Sequence, residues 1–140
     1  GDAPVKVIKE KTYEIIKISE AAIIKSGTST LETALLGIPQ VVCYKTDFFS
    51  MLKGLIVIKV KYISLVNLIM NREVVKEIIG YDVNEKNLVR ELKDILPGGA
   101  IREKMLTEYR TLSDILGPAG ASSRIAQQMV SEISTPLRKN

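Results

Sequence analysis

Apolar residues cluster along this chain in short runs separated by glycine, proline and hydroxyl-rich turns. The clearest case is residues 21–45, AAIIKSGTSTLETALLGIPQVVCYK. AAIIK is a short apolar run that stops at Ser26-Gly27-Thr28. Leu31, Ala34 and Leu35 then share a helical face, and Gly37-Ile38-Pro39 ends that pattern before Val41-Val42-Cys43-Tyr44. The order predicted is strand, tight turn, helix, tight turn, strand, the content of a βαβ unit. Upstream, Val5-Lys6-Val7-Ile8 reads as a strand. Residues 10–20 place Tyr13, Ile16 and Ile15 or Ile18 near one helical face. Alternation of β and α in this way predicts a Rossmann-like parallel sheet with flanking helices.

Beyond residue 46 the pattern is less uniform. Residues 47–61, DFFSMLKGLIVIKVK, fit a helix through Phe48, Phe49, Leu52, Leu55 and Ile56. The β-branched Ile56-Val57-Ile58 and Val60 fit a strand equally, with 57–63 as its span. Tyr62-Ile63-Ser64 reads as extended and Val66–Met70 as a short helix or turn. Arg72–Ile79 reads as a helix closed by Gly80. The remainder is helical in pattern. Residues 84–96 repeat apolar positions at Leu88, Leu92, Ile95 and Leu96, with Asn84 as the N-cap. Pro97-Gly98-Gly99 breaks the chain. Ile101, Met105, Tyr109, Leu112 and Leu116 then form a stripe, and a last helix is expected over 121–133 before a frayed end.

Composition narrows the chemistry. The 140 residues suffice for one domain with a real core. There is no histidine, so a general base here would be a carboxylate, lysine or tyrosine. One cysteine and no histidine make a zinc site improbable, and no metal or other cofactor is expected. Cys43, inside an apolar run, reads as a core residue in a reducing compartment. The formal net charge of +4 is uneven, with Lys45, Lys53, Lys59 and Lys61 against Asp47 in residues 45–61. Such a region suits phosphates, nucleic acid or an anionic membrane surface. No run reaches the roughly 18 apolar residues of a membrane span. GDAPVKV lacks the charged and apolar regions of a signal peptide. The initial glycine gives the expectation of a piece of something longer.

The turn at 26–28 is where chemistry is expected. It offers a glycine, hydroxyls and the N–H groups of a helix start, which favour an anion such as a phosphate. Glu32 lies one turn further, within reach of a molecule bound there. Taken alone, Ser26, Gly27 and Thr28 also fit a plain turn and cap, and Glu32 a solvated helix residue.

The string SGTSTLETALLGIP, residues 26–39, resembles the nucleotide-sugar motif in the C-terminal domain of GT-B glycosyltransferases. KVKYISLVNLIMNREVVKEI at 59–78, with Gly120-Ala121-Ser122-Ser123-Arg124 near the end, is similar to one family of that class, the lipid-A-disaccharide synthases. The likeness covers about residues 20–133. The family usually has proline where Val66 and Lys76 stand.

The resemblance implies a partial C-terminal half of a GT-B fold with a helical C-terminal extension. Residues 1–83 would be the UDP-sugar-binding α/β part and 84–140 the C-terminal helices of the same domain. It implies transfer from UDP-2,3-diacylglucosamine to lipid X, with release of UDP, in lipid A biosynthesis. Ser26, Gly27, Thr28 and Thr30 would meet the diphosphate, and the Glu32 carboxylate the ribose diol. Asn67 and Arg72 are the further candidates for the UDP-sugar. Asn67 would be costly to bury unpaired, and the Arg72 guanidinium offers a fork for a diphosphate. The plainer readings are a helix-capping amide for Asn67 and a surface ion pair with Glu73 for Arg72. No catalytic residue is assigned; the base is expected in an N-terminal half not present here.

The expected partners are the UDP-sugar donor, an acylated sugar acceptor, a membrane surface touched through 47–61, and a second copy of the chain. The expected location is cytoplasmic or peripheral on the inner membrane of a Gram-negative bacterium. With three or four strands where about six are usual, this piece alone is expected to be inactive and to self-associate. The alternative is a non-catalytic nucleotide- or phosphate-binding α/β module. Nucleic acid is disfavoured as a partner, because no basic helix face carries interleaved aromatics.

Overall fold

The computed structural model of the chain describes residues 4–25, 27–44 and 61–117. In order, the elements are α1 (Thr12–Ile18), β1 (Ala22–Lys25), α2 (Ser29–Leu35), β2 (Gln40–Tyr44), α3 (Leu65–Met70), β3 (Lys76–Ile79), a 3-10 turn (Gly80–Asp82), α4 (Glu85–Ile95) and α5 (Arg102–Leu116). The three strands form one parallel sheet in the order β1-β2-β3. Ile23 pairs with Val41, and Val42 pairs with both Ile24 and Glu77.

β2 is central in the sheet, and the side chains on both of its faces are covered. Val41, Val42 and Tyr44 are buried and Cys43 is half-buried. That is why its sequence is a continuous apolar run rather than an alternating one. β1 forms a rim of the described sheet, and its Ile23 is 47% exposed. α2 packs against β1, β2, α3 and α5, while α4 packs against β2 and α5. Ile95, Met105, Tyr109, Leu112 and Leu116 of the last two helices join Val41, Val42 and Val75 in one core. The architecture is Rossmann-like α/β.

Local chemistry explains most boundaries. Asn84 caps α4 as expected, its Oδ1 accepting from Asn87 N–H at 3.0 Å. Ser64 caps α3 through Oγ, and Asn71 ends it in the left-handed region at φ 51°. Between α4 and α5, a Cβ on Gly99 would lie 2.3 Å from Asp94 O, so only glycine fits that tight return. Arg102 locks the corner by donating to Ile95 O at 2.8 Å and Glu20 O at 2.7 Å.

Four expectations are corrected. Residues 5–8 form no strand; Val5 and Val7 are 87% and 85% exposed, and no described strand lies beside them. The apolar alternation there lacks the neighbouring backbone a strand needs. Residues 72–79 are not a helix. They are a loop leading into β3, which pairs with the free side of β2. Gly80 accordingly opens the 3-10 turn rather than ending a helix. The stripe of α5 begins at Met105, since Ile101 precedes the helix and is 41% exposed. Residues 61–63 contain no strand. The helix-or-strand choice over 47–60, and the helix at 121–133 with its 120–124 motif, lie outside the described residues.

Candidate functional site

α2 follows the carboxyl end of β1, and a hydrogen bond from Tyr13 in the first turn of α1 to Glu32 in the first turn of α2 brings the two helix starts together there. Gly27 stands there at φ 138°, a conformation that L side chains rarely adopt. Among the described residues, no atom lies within 4 Å of where its Cβ would be. Backbone is therefore open to close approach at this turn. Ser26 lies outside the described residues. Thr28 is exposed and stands at the N-cap of α2, with no side-chain cap bond.

Beneath the turn the polar groups are internally paired. Thr30 is fully buried, and its hydroxyl donates to Gly27 O at 2.9 Å. Gln40, at the start of β2, donates from Nε2 to Thr30 O at 2.8 Å and to Tyr109 Oη at 3.4 Å. Thr33 donates to Ser29 O at 2.7 Å. The short helix is thereby held from below by β2 and α5. Burial pushes the Tyr109 phenol above its ordinary pKa. Beside the turn, Glu32 is half-buried and accepts a hydrogen bond from Tyr13 Oη on α1 at 2.8 Å. That bond, together with the nearby negative charge, raises the Tyr13 pKa. A carboxylate has several acceptor positions, and one phenol leaves others able to receive hydroxyl donors.

Gly27, Thr28, Thr30 and Glu32 are thus brought together, with the Thr30 hydroxyl turned to the backbone. Asn67 and Arg72 are placed elsewhere. Asn67 is fully buried: its Oδ1 accepts from Val74 and Val75 N–H at 2.7 and 3.0 Å, and its Nδ2 donates to Val75 O at 2.9 Å and Glu77 Oε1 at 3.0 Å. Arg72 sits in the loop before β3, at the amino end of a parallel sheet, whereas Gly27 follows the carboxyl end of β1. Its guanidinium donates twice to Glu108 Oε2 on α5, at 3.0 and 2.6 Å, rather than pairing with Glu73.

Residue types alone did not single out Tyr13, Gln40 or Glu77. Glu77 accepts from Ser64 N–H at 2.8 Å and from Ile63 N–H with both oxygens, fixing the entry to α3. Its signal was a carboxylate inside the apolar run VVKEII, and that of Gln40 an amide heading VVCY. A cleft of about 220 Å³ lies near the amino ends of β2 and β3, beside Lys76 and Lys104. Glu73, Glu91 and Glu108 also line it, and three carboxylates oppose an anionic ligand.

Parallel strands, covering helices and a glycine turn at a strand's carboxyl end define a Rossmann-like α/β domain with a candidate site at that turn. More particularly, the chain belongs to the lipid-A-disaccharide synthetase family, whose model matches residues 2–129. It is 39% identical over 127 residues to the lipid-A-disaccharide synthase of Syntrophus aciditrophicus (strain SB), covering 90% of this chain and 33% of that protein. The enzyme of the same name from Anaeromyxobacter sp. (strain K) is 32% identical over 126 residues, again 90% of this chain and 33% of the relative. That of Myxococcus xanthus (strain DK1622) is 31% identical over 138 residues, 99% of this chain and 36% of the relative. The chain spans about a third of the length of these curated relatives.

Proposed function

We propose that this chain is the donor-binding part of a glycosyltransferase of lipid A biosynthesis, a lipid-A-disaccharide synthase. Ser26, Gly27 and Thr28 hold the diphosphate of UDP-2,3-diacylglucosamine, and Glu32 receives the ribose hydroxyls. Thr30 supports the turn from inside; Asn67 and Arg72 support it at a distance, by fixing α3, β3 and α5. The observation that carries the reading is the Gly27 turn: φ is 138°, the backbone is open, and Glu32 stands one helical turn away. Family membership along residues 2–129 supports it independently.

Preorganised backbone donors at the turn would stabilise charge on the leaving UDP, without a metal step. The acceptor is lipid X, and the group that activates its hydroxyl is assigned outside these residues. Residues 1–83 are taken as the nucleotide-sugar part and 84–140 as helices completing the same domain. Among the described residues, no helix is long and apolar enough to cross a membrane. Peripheral attachment at the cytoplasmic side of the inner membrane, through 47–61, belongs to the proposal. So does self-association, for which the exposed rim at β1 gives a physical basis. The test is titration of the full-length protein with UDP and with a short single-stranded oligonucleotide. Saturable binding of UDP alone supports the reading; binding of the oligonucleotide, or no binding of UDP, overturns it.

A further inference from the structure

We propose that Tyr13 is a positioning residue for the nucleotide: its hydroxyl fixes the Glu32 carboxylate so that the remaining acceptor positions face the ribose diol. The inference rests on the donor-site reading above. Tyr13 and Glu32 are 19 residues apart and lie on helices either side of β1, yet their oxygens are 2.8 Å apart. The ring is placed by the helix that carries it. Ile16, one turn on, is buried, and Ser19 closes α1 by donating to Ile15 O at 2.7 Å. Tyr13 itself is 52% exposed, so burial does not explain its orientation, and the hydrogen bond is its evident polar role.

A glutamate in the first turn of a seven-residue helix would otherwise sample several rotamers. Holding it before the ligand arrives lowers the ordering cost of binding. A phenol is suited to this task because it donates to the carboxylate without neutralising it. The carboxylate keeps lone pairs for two further hydroxyl donors. A lysine in the same place would compete for the diphosphate and shift the charge of the site.

Calorimetric titration of full-length Tyr13→Phe, Glu32→Ala and the double variant, with UDP and with 2′,3′-dideoxy-UDP, tests this. Phenylalanine keeps the ring, and a melting curve for each variant checks folding. Tyr13→Phe should weaken UDP about 3–10-fold, the scale of one hydrogen bond. It should leave dideoxy-UDP unchanged and add nothing in the Glu32→Ala background. If Glu32→Ala weakens UDP while Tyr13→Phe does not, the positioning role is overturned and the donor site stands. Tighter UDP binding by Tyr13→Phe would make the phenol a competitor for the carboxylate, which also overturns it. UDP affinity unchanged by all three variants overturns both readings.

Discussion

Asn67 Nδ2 donates to Glu77 Oε1 at 3.0 Å, and around that contact the first half of α3 and the start of β3 are fastened together. The same amide oxygen accepts from Val74 and Val75, and the same carboxylate accepts from Ile63 and Ser64. One buried amide and one half-buried carboxylate thus satisfy four backbone N–H groups, two just before α3 and two in the loop that leads into β3.

Asn67→Ala removes the acceptor of two buried N–H groups and leaves Glu77 short of a donor. Each orphaned buried donor costs about 1–3 kcal/mol, so a total loss of about 2–6 kcal/mol is expected. Urea unfolding of the full-length protein measures it. A loss under about 0.5 kcal/mol, the level of an ordinary surface change, would show that the network does not hold this corner.

The βα turn and its neighbours were legible because their signals are local. Gly27 and Gly37-Ile38-Pro39 punctuate the chain, and VVCY reads as a strand covered on both faces. β3 was not legible, because Val74, Val75, Ile78 and Ile79 fit a helix and a two-faced strand alike. The choice is made by non-local partners: the vacant side of β2, and Asn67 accepting the Val74 and Val75 amides that a helix would use. The site shows the same limit. Residue type said that Asn67 and Arg72 need partners, but not that these are Val74, Val75 and Glu77, and a carboxylate 36 residues away.

Arg72→Ala should leave UDP affinity of the full-length protein within about twofold and cost stability only about 0–1 kcal/mol, the usual worth of an exposed ion pair. That cost should shrink as salt is added. Titration and unfolding at two ionic strengths check both. A large loss of UDP affinity with unchanged stability would return Arg72 to the ligand.

Tyr44 and Tyr109 have folded-state pKa values raised above 10.0 by burial, with Glu77 adding to the shift at Tyr44. Above about pH 10 the unfolded chain releases protons that the folded chain retains, so stability falls as pH rises. Their contribution is whole below the ordinary tyrosine value and withdrawn progressively above it. By pH 11 each accounts for up to about 1.4 kcal/mol. Tyr109→Phe should therefore lose less stability than the parent between about pH 9 and pH 11. Equal losses would mean that Tyr109 ionises as freely in the folded state as in the unfolded one.

The central claim is that Glu32 recognises the nucleotide at the Gly27 turn. It is tested most directly by calorimetric titration of UDP into the full-length protein and its Glu32→Ala variant. A charged hydrogen-bond acceptor is worth about 1–3 kcal/mol, so the variant should bind UDP about 5–150-fold more weakly while folding normally. Equal dissociation constants for the two proteins would contradict the assignment.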